Sequence, residues 1–183
     1  MSPDRRGEVL DATYECLTLY GVRRTTMEDI AQACGMSRAA VYQYVRNKDD
    51  AFRGLAILRH EQALQAARAA AAGPGTAAER VHGVLAAKLG LVRAMLTASP
   101  HTAELLDEKG RLFGDICTEF GADVAGLIAG LFREAGVDAK AAGEAAETCV
   151  ALVVGLERHP DAERLLALGS AALVAGLLGV DVR

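Results

Sequence analysis

The stretch Thr25–Lys48, "TTMEDIAQACGMSRAAVYQYVRNK", decides how this chain is read. Met27, Ile30, Ala31 and Cys34 recur at threes and fours, which makes one apolar helical face. Thr26 can cap that helix, or Thr25 can do so with Glu28 three residues on, as a capping box. Gly35 permits the left-handed conformation of a sharp turn. Ser37 then caps a second helix, and Met36 just before the cap can pack on Val41 and fix the angle of approach. Val41 and Val45, four apart, face inward. Arg38, Ala39, Tyr42 and Gln43 are left outside, and the small Ala39 and Ala40 let the backbone come close to another surface.

Two short helices joined at a glycine, the second with a polar outer face, make the layout of a helix-turn-helix. Its second helix enters the DNA major groove by its N-terminal half. Arg38 suits a guanine edge and Gln43 an adenine edge, while Tyr42 is placed to donate to a phosphate. Lys48 is a local misfit. It sits in the first turn of the next helix, where a cation opposes the macrodipole, whereas Asp49 and Asp50 suit that position. A phosphate held by the helix-end amides and the lysine together would reconcile the conflict.

Charge supports a confined anionic footprint. The 183 residues carry a net charge of −4, yet five basic and two acidic groups lie between Arg23 and Lys48. Up to His60 there are 9 basic and 8 acidic groups, and the remainder holds 11 and 16. A basic stretch on an acidic protein fits a small nucleic-acid contact better than a wholly basic surface would.

Outward from this stretch everything reads as helix, so the fold class expected is all-α. A first helix runs from about Pro3 to Tyr20, with Val9, Ala12, Cys16, Leu17 and Tyr20 on one face, and Gly21 ends it. A long helix over 48–72 is stopped by "GPG" at Gly73–Gly75. The next spans about Thr76 to Ala98 and closes at Ser99–Pro100. A short segment from Thr102 to about Asp107 precedes a helix over 108–135, with Gly136 as its terminating glycine. Asp138 and Asp161 read as caps of the last two helices, over 138–158 and 161–178. These two are rich in Leu, Val and small residues such as Ala145, Ala146, Gly155, Gly169, Ala172 and Gly176. Such helices have too little of their own chain to cover them, and pairing two copies into a four-helix bundle would do so.

The run "LLALGSAALVAGLLGV" is about 16 residues, short of the roughly 20 a membrane span needs, so no membrane role is expected. The start "MSPDRRGEVL" has no apolar signal region, which suggests a cytoplasmic location. Cys16, Cys34, Cys117 and Cys149 are too far apart for a zinc pair and read as buried thiols. His60, His82, His101 and His159 form no metal or nucleophile-base spacing, so no enzyme, metal site or cofactor is expected.

"GVRRTTMEDIAQACGMSRAAVYQYVRNKDDAF" resembles the DNA-binding domain of TetR-family transcriptional regulators. The glycine before Thr25–Thr26, Ile30–Ala31, Gly35, Ser37, Tyr42, the aromatic Tyr44, and Lys48 with its following acids fall where that family's pattern places them. Val45 departs from it, since many members carry phenylalanine there. The resemblance implies a helix-turn-helix domain over 1–48, linked through helix 48–72 to an effector-binding and dimerisation domain over 49–183. It implies phosphate contacts from Thr26, Tyr42 and Lys48, base-facing positions at Arg38, Ala39 and Gln43, and either role for Tyr44. Thr25, Ser37 and Ala40 complete the expected DNA-facing set.

The expected function is that of a homodimeric repressor of a palindromic operator, released by a small, mostly apolar effector. Leu89, Val92, Met95, His101, Leu105, Phe113, Ile116, Cys117 and Phe120 are the candidate effector-lining residues. The alternative is a helical protein-interaction module, or a regulator without a small-molecule effector.

Overall fold

A computed structural model describes residues 4–178, which contain ten helices and no strand. Helix α1 spans Arg5–Arg24; Pro3, its expected start, lies outside the described residues. Asp4 caps it, accepting from the Gly7 amide at 3.0 Å. Val9, Ala12, Cys16 and Leu17 are buried as expected, but Tyr20 is exposed and does not belong to the inner face. Gly21 interrupts α1 rather than ending it. Its φ of 77° and ψ of 173° are almost confined to glycine, and one further turn follows.

Helices α2 (Met27–Ala33) and α3 (Arg38–Val41) follow, then α4 (Lys48–Ala72) and α5 (Ala77–Ala98). Thr76 and Glu79 form the capping box of α5, with the Thr76 amide 2.7 Å from Glu79 Oε2. The helix expected over 108–135 is broken. After α6 (Ala103–Asp107) come α7 (Lys109–Leu112) and α8 (Gly114–Glu134), with the break at Phe113. The Phe113 side chain is buried at this corner, so tertiary packing overrides the local helical pattern. Gly136, at φ 92°, closes α8, and the Val137 amide reaches back to Phe132 O at 3.0 Å. Helices α9 (Ala139–Leu156) and α10 (Ala162–Leu178) end the described chain. Asp138 caps α9, and Asp161 directly precedes α10, its carboxylate 3.6 Å from Arg164.

The chain divides into two compact units, Met1–Arg59 with Ala94–Ile116, and His60–Arg93 with Cys117–Arg183. The first holds an apolar cluster of Val9, Ala12, Cys16, Ile30, Ala31, Val41, Val45 and Ala51. The second is built on Val81, Val84, Leu85, Leu89, Phe120, Val124, Ile128, Phe132 and the inner faces of α9 and α10. Among the described residues, α5 is the helix long and apolar enough to cross a membrane by length and composition, and it contributes Val81, Val84, Leu85 and Leu89 to that second core.

Candidate nucleic-acid interface

The candidate interface residues are held by local hydrogen bonds of the first unit. Thr26, not Thr25, caps α2. Its hydroxyl accepts from the Asp29 amide at 3.2 Å, and Asp29 Oδ2 accepts from the Thr26 amide at 2.8 Å. The capping partner is therefore Asp29 and not Glu28. Thr25 is withdrawn from the surface, 1% exposed, and its hydroxyl donates to Gly21 O at 2.7 Å. Its role is to close the last turn of α1, which corrects the expectation that it faces DNA.

The turn between α2 and α3 depends on Gly35, at φ 64°. The Met36 amide then returns to Ala31 O at 3.0 Å, and Met36 packs on the cluster that contains Val41. Ser37 caps α3 by accepting from the Ala40 amide at 3.2 Å. Helix α3 is shorter than expected. After Val41 the backbone tightens, with Gln43 N bonded to Ala40 O and Tyr44 N to Val41 O. Val45 is buried but lies beyond α3, in the link to α4.

This tight anchoring sends the remaining side chains outward. Arg38, Ala39, Tyr42 and Gln43 are exposed, Tyr42 by 42%; Ala40 is half-buried, and Tyr44 is half-buried against the cluster. Arg38 Nη2 donates to Tyr42 Oη at 3.2 Å, and the guanidinium lies 5.6 Å from the Tyr42 ring centroid. The two side chains brace each other, which lowers the entropy lost when a partner fixes them.

Lys48 is half-buried, and its Nζ donates to Arg23 O at 3.1 Å. An ammonium has three N–H donors, so this bond aims the group and leaves capacity for an anion. Asn47 caps α4, its Oδ1 2.8 Å from the Asp50 amide. Asp50 accepts from the Arg46 amide and guanidinium at 2.8 and 2.9 Å, and these bonds hold its carboxyl below the usual range. Two further ion pairs in this unit had no signal in the linear pattern. Arg53 pairs with Asp115, which is pushed down to about 2 chiefly by that guanidinium, and Arg111 meets Asp49 at 2.7 Å. Each joins residues some sixty positions apart.

The expected effector-lining residues fall in both units. Met95, His101, Leu105, Phe113 and Ile116 belong to the first; Leu89, Val92, Cys117 and Phe120 belong to the second. Met95, Leu105 and Phe113 are buried there, and Thr102 donates to Ser99 O at 2.7 Å and to Met95 O. His101 Nδ1 lies 3.6 Å from Glu104 within the same corner. In the second unit, Leu89 lines a cavity of about 130 Å³ with His82, Ala86, Gly90, Arg93, Glu163 and Leu166. His82 Nδ1 is 3.1 Å from Ser170 Oγ, and Arg93 Nε is 3.2 Å from Glu163. Sequence reasoning passed over Lys88, which is 7% exposed, 3.8 Å from Glu157 and 5.4 Å from the Phe120 ring centroid. A lysine on the stripe of Val81, Val84, Leu85 and Val92 was the available signal. Nor are all the thiols buried: Cys34 and Cys117 are only half-buried.

A capped two-helix turn with an outward polar face, followed by a helical bundle, places the chain in the helix-turn-helix class. Residues 9–55 match the family model for bacterial regulatory proteins of the tetR family. An HTH-type transcriptional repressor of Mycobacterium tuberculosis is 40% identical over 52 residues, 28% of this chain and 28% of that protein. The regulator TtgR of Pseudomonas putida is 33% identical over 66 residues, 36% of this chain and 31% of that protein. The matched part thus spans under a third of these relatives' length. The fold extends further. A protein of Pseudomonas aeruginosa PAO1 described as a transcriptional regulator superposes with a TM-score of 0.77 at 20% identity, covering 98% of this chain and 93% of that one. SmeT in complex with triclosan gives 0.67 at 21% identity, covering 93% and 90%.

Proposed function

We propose that this chain is a transcriptional regulator that binds a duplex DNA operator as a homodimer and is released by a small, mostly apolar effector. The observation that carries the reading is the outward face of α3 and its following turn, where Arg38, Ala39, Tyr42 and Gln43 project from a backbone locked by Ser37, Gly35, Val41 and Val45. Arg38 and Gln43 supply base-edge donors and acceptors, and Thr26, Tyr42 and Lys48 supply phosphate contacts. Ser37, Ala39, Ala40 and Tyr44 shape the surface that meets the groove.

Dimerisation is supported by the outer faces of α9 and α10. Val154 is 49% exposed and Leu168 58% exposed, beside Ala151, Gly155, Ala171, Ala172, Gly176 and Leu177, all exposed on the same two helices. A run of apolar and small residues like this is the surface a second copy would cover. A two-fold dimer reads two half-sites about 34–36 Å apart, so the operator is palindromic. Effector control is supported by likeness of fold to SmeT, whose structure is described as a complex with triclosan.

The test is an electrophoretic shift with genomic fragments, followed by footprinting of the retained sequence. A protected palindrome that is lost with Arg38→Ala supports the reading, and no shifted fragment at low salt refutes it.

A further inference from the structure

We propose that Cys117 and His60 form a nucleophile–base pair that captures soft electrophiles, such as α,β-unsaturated carbonyl compounds, as covalent adducts. Cys117 stands near the start of α8 and His60 midway along α4, both in the second unit. Cys117 Sγ lies 3.5 Å from His60 Nε2, within the range of a thiol hydrogen bond to nitrogen. Phe120, three residues after Cys117, meets the His60 ring edge-on at 5.2 Å and 90°. That packing fixes the plane of the imidazole and keeps Nε2 turned to the sulfur.

The other cysteines lack this arrangement. Cys16 and Cys149 are buried, and burial pushes each thiol up to about 11, which keeps them protonated. Cys34 is half-buried like Cys117, but its Sγ faces the Ala31 carbonyl at 3.6 Å. A carbonyl cannot take a proton; an imidazole can. Only the Cys117 site therefore combines partial exposure with a base in contact.

The step balances without an oxidant. His60 Nε2 takes the thiol proton as the sulfur electron pair forms a bond to the β-carbon. The carbon–carbon π pair moves to the enolate, and the imidazolium returns the proton to the α-carbon. Charge is unchanged overall, and His60 ends neutral.

The experiment follows alkylation of the full chain by N-ethylmaleimide, residue by residue, by peptide mass spectrometry from pH 5.5 to 8.5. Cys34 is the internal standard, being likewise half-buried, with its sulfur against a carbonyl rather than a base. Cys117 should react at least about tenfold faster at pH 7, with a shallower fall toward low pH, and His60→Gln should slow Cys117 alone by on the order of tenfold or more. Equal rates and parallel pH profiles for Cys117 and Cys34 in the wild type would overturn the proposal, and that comparison needs no variant to fold. A His60→Gln protein of native circular dichroism whose Cys117 reacts at the wild-type rate would overturn it as well.

Discussion

Gly21 offers a sharp quantitative test of the head. Its φ of 77° and ψ of 173° lie in a region that side chains cannot enter without strain. Replacing it with alanine therefore costs on the order of 1–3 kcal/mol from backbone strain alone. A Cβ there would also meet the carboxylate end of Glu104, but a flexible chain end swings aside, so the backbone cost dominates. The conformation is fixed from both sides, because Thr25 donates its backbone N–H and its hydroxyl to Gly21 O. Asparagine, which tolerates the left-handed helical region, should be no better than alanine at this ψ. Gly35 is the contrast. Its φ is 64° and a Cβ there would meet nothing, so Gly35→Ala should cost about 1–2 kcal/mol and Gly35→Asn only a few tenths. At about 2–4 °C per kcal/mol for a chain of this size, Gly21→Ala and Gly21→Asn should each lower Tm by roughly 2–12 °C. Thermal unfolding of the four variants by circular dichroism reads this directly. A Gly21→Ala protein as stable as the wild type, or rescue by asparagine at position 21 as well as at position 35, would refute backbone strain at Gly21.

Leu168→Glu should convert a dimer to a monomer in sedimentation with the helical signal retained, because the side chain is exposed within one chain; a wild-type protein that is already monomeric would refute the interface. Lys88→Met should destabilise by about 2–3 kcal/mol, since it strips Glu157 of a cation, and adding Glu157→Leu should recover most of the loss; additivity in that double-mutant cycle would show the pair is not coupled. Cys16 and Cys149 hold their protons more tightly folded than unfolded. Their contribution is intact below about pH 9 and is lost as pH rises from about 9 to 11, so Cys149→Ala should flatten the fall in stability over that window, and an unchanged slope would count against the assignment.

What could be read from the chain alone was local. Thr26, Ser37, Asp138, Gly35 and Gly136 announce helix ends because each acts on amides or carbonyls within a few residues. The inner residues Ile30, Ala31, Val41 and Val45 were legible because a period of 3.6 marks a buried stripe. What was hidden depends on distant partners. Tyr20 fits the apolar face of α1 by spacing, yet the turn at Gly21 leaves it exposed. The break falls at Phe113, next to Gly114, where the phenylalanine side chain is buried in the corner. Of the two adjacent threonines either could cap, and only the bond from Thr25 to Gly21 O shows which one is spent inside. Lys48 was singled out by its conflict with the helix dipole, and the structure adds that Arg23 O orients it.

The measurement that bears most directly on the central claim is the affinity for a footprinted operator duplex by fluorescence anisotropy, taken across a salt series for wild type, Tyr42→Ala and Lys48→Ala. Both variants should bind more weakly. Lys48→Ala alone should reduce the slope of log affinity against log salt, by about one per head, because it removes a charge from a phosphate. Wild-type affinity and slope in both variants would show that this face of the helix-turn-helix does not touch the duplex.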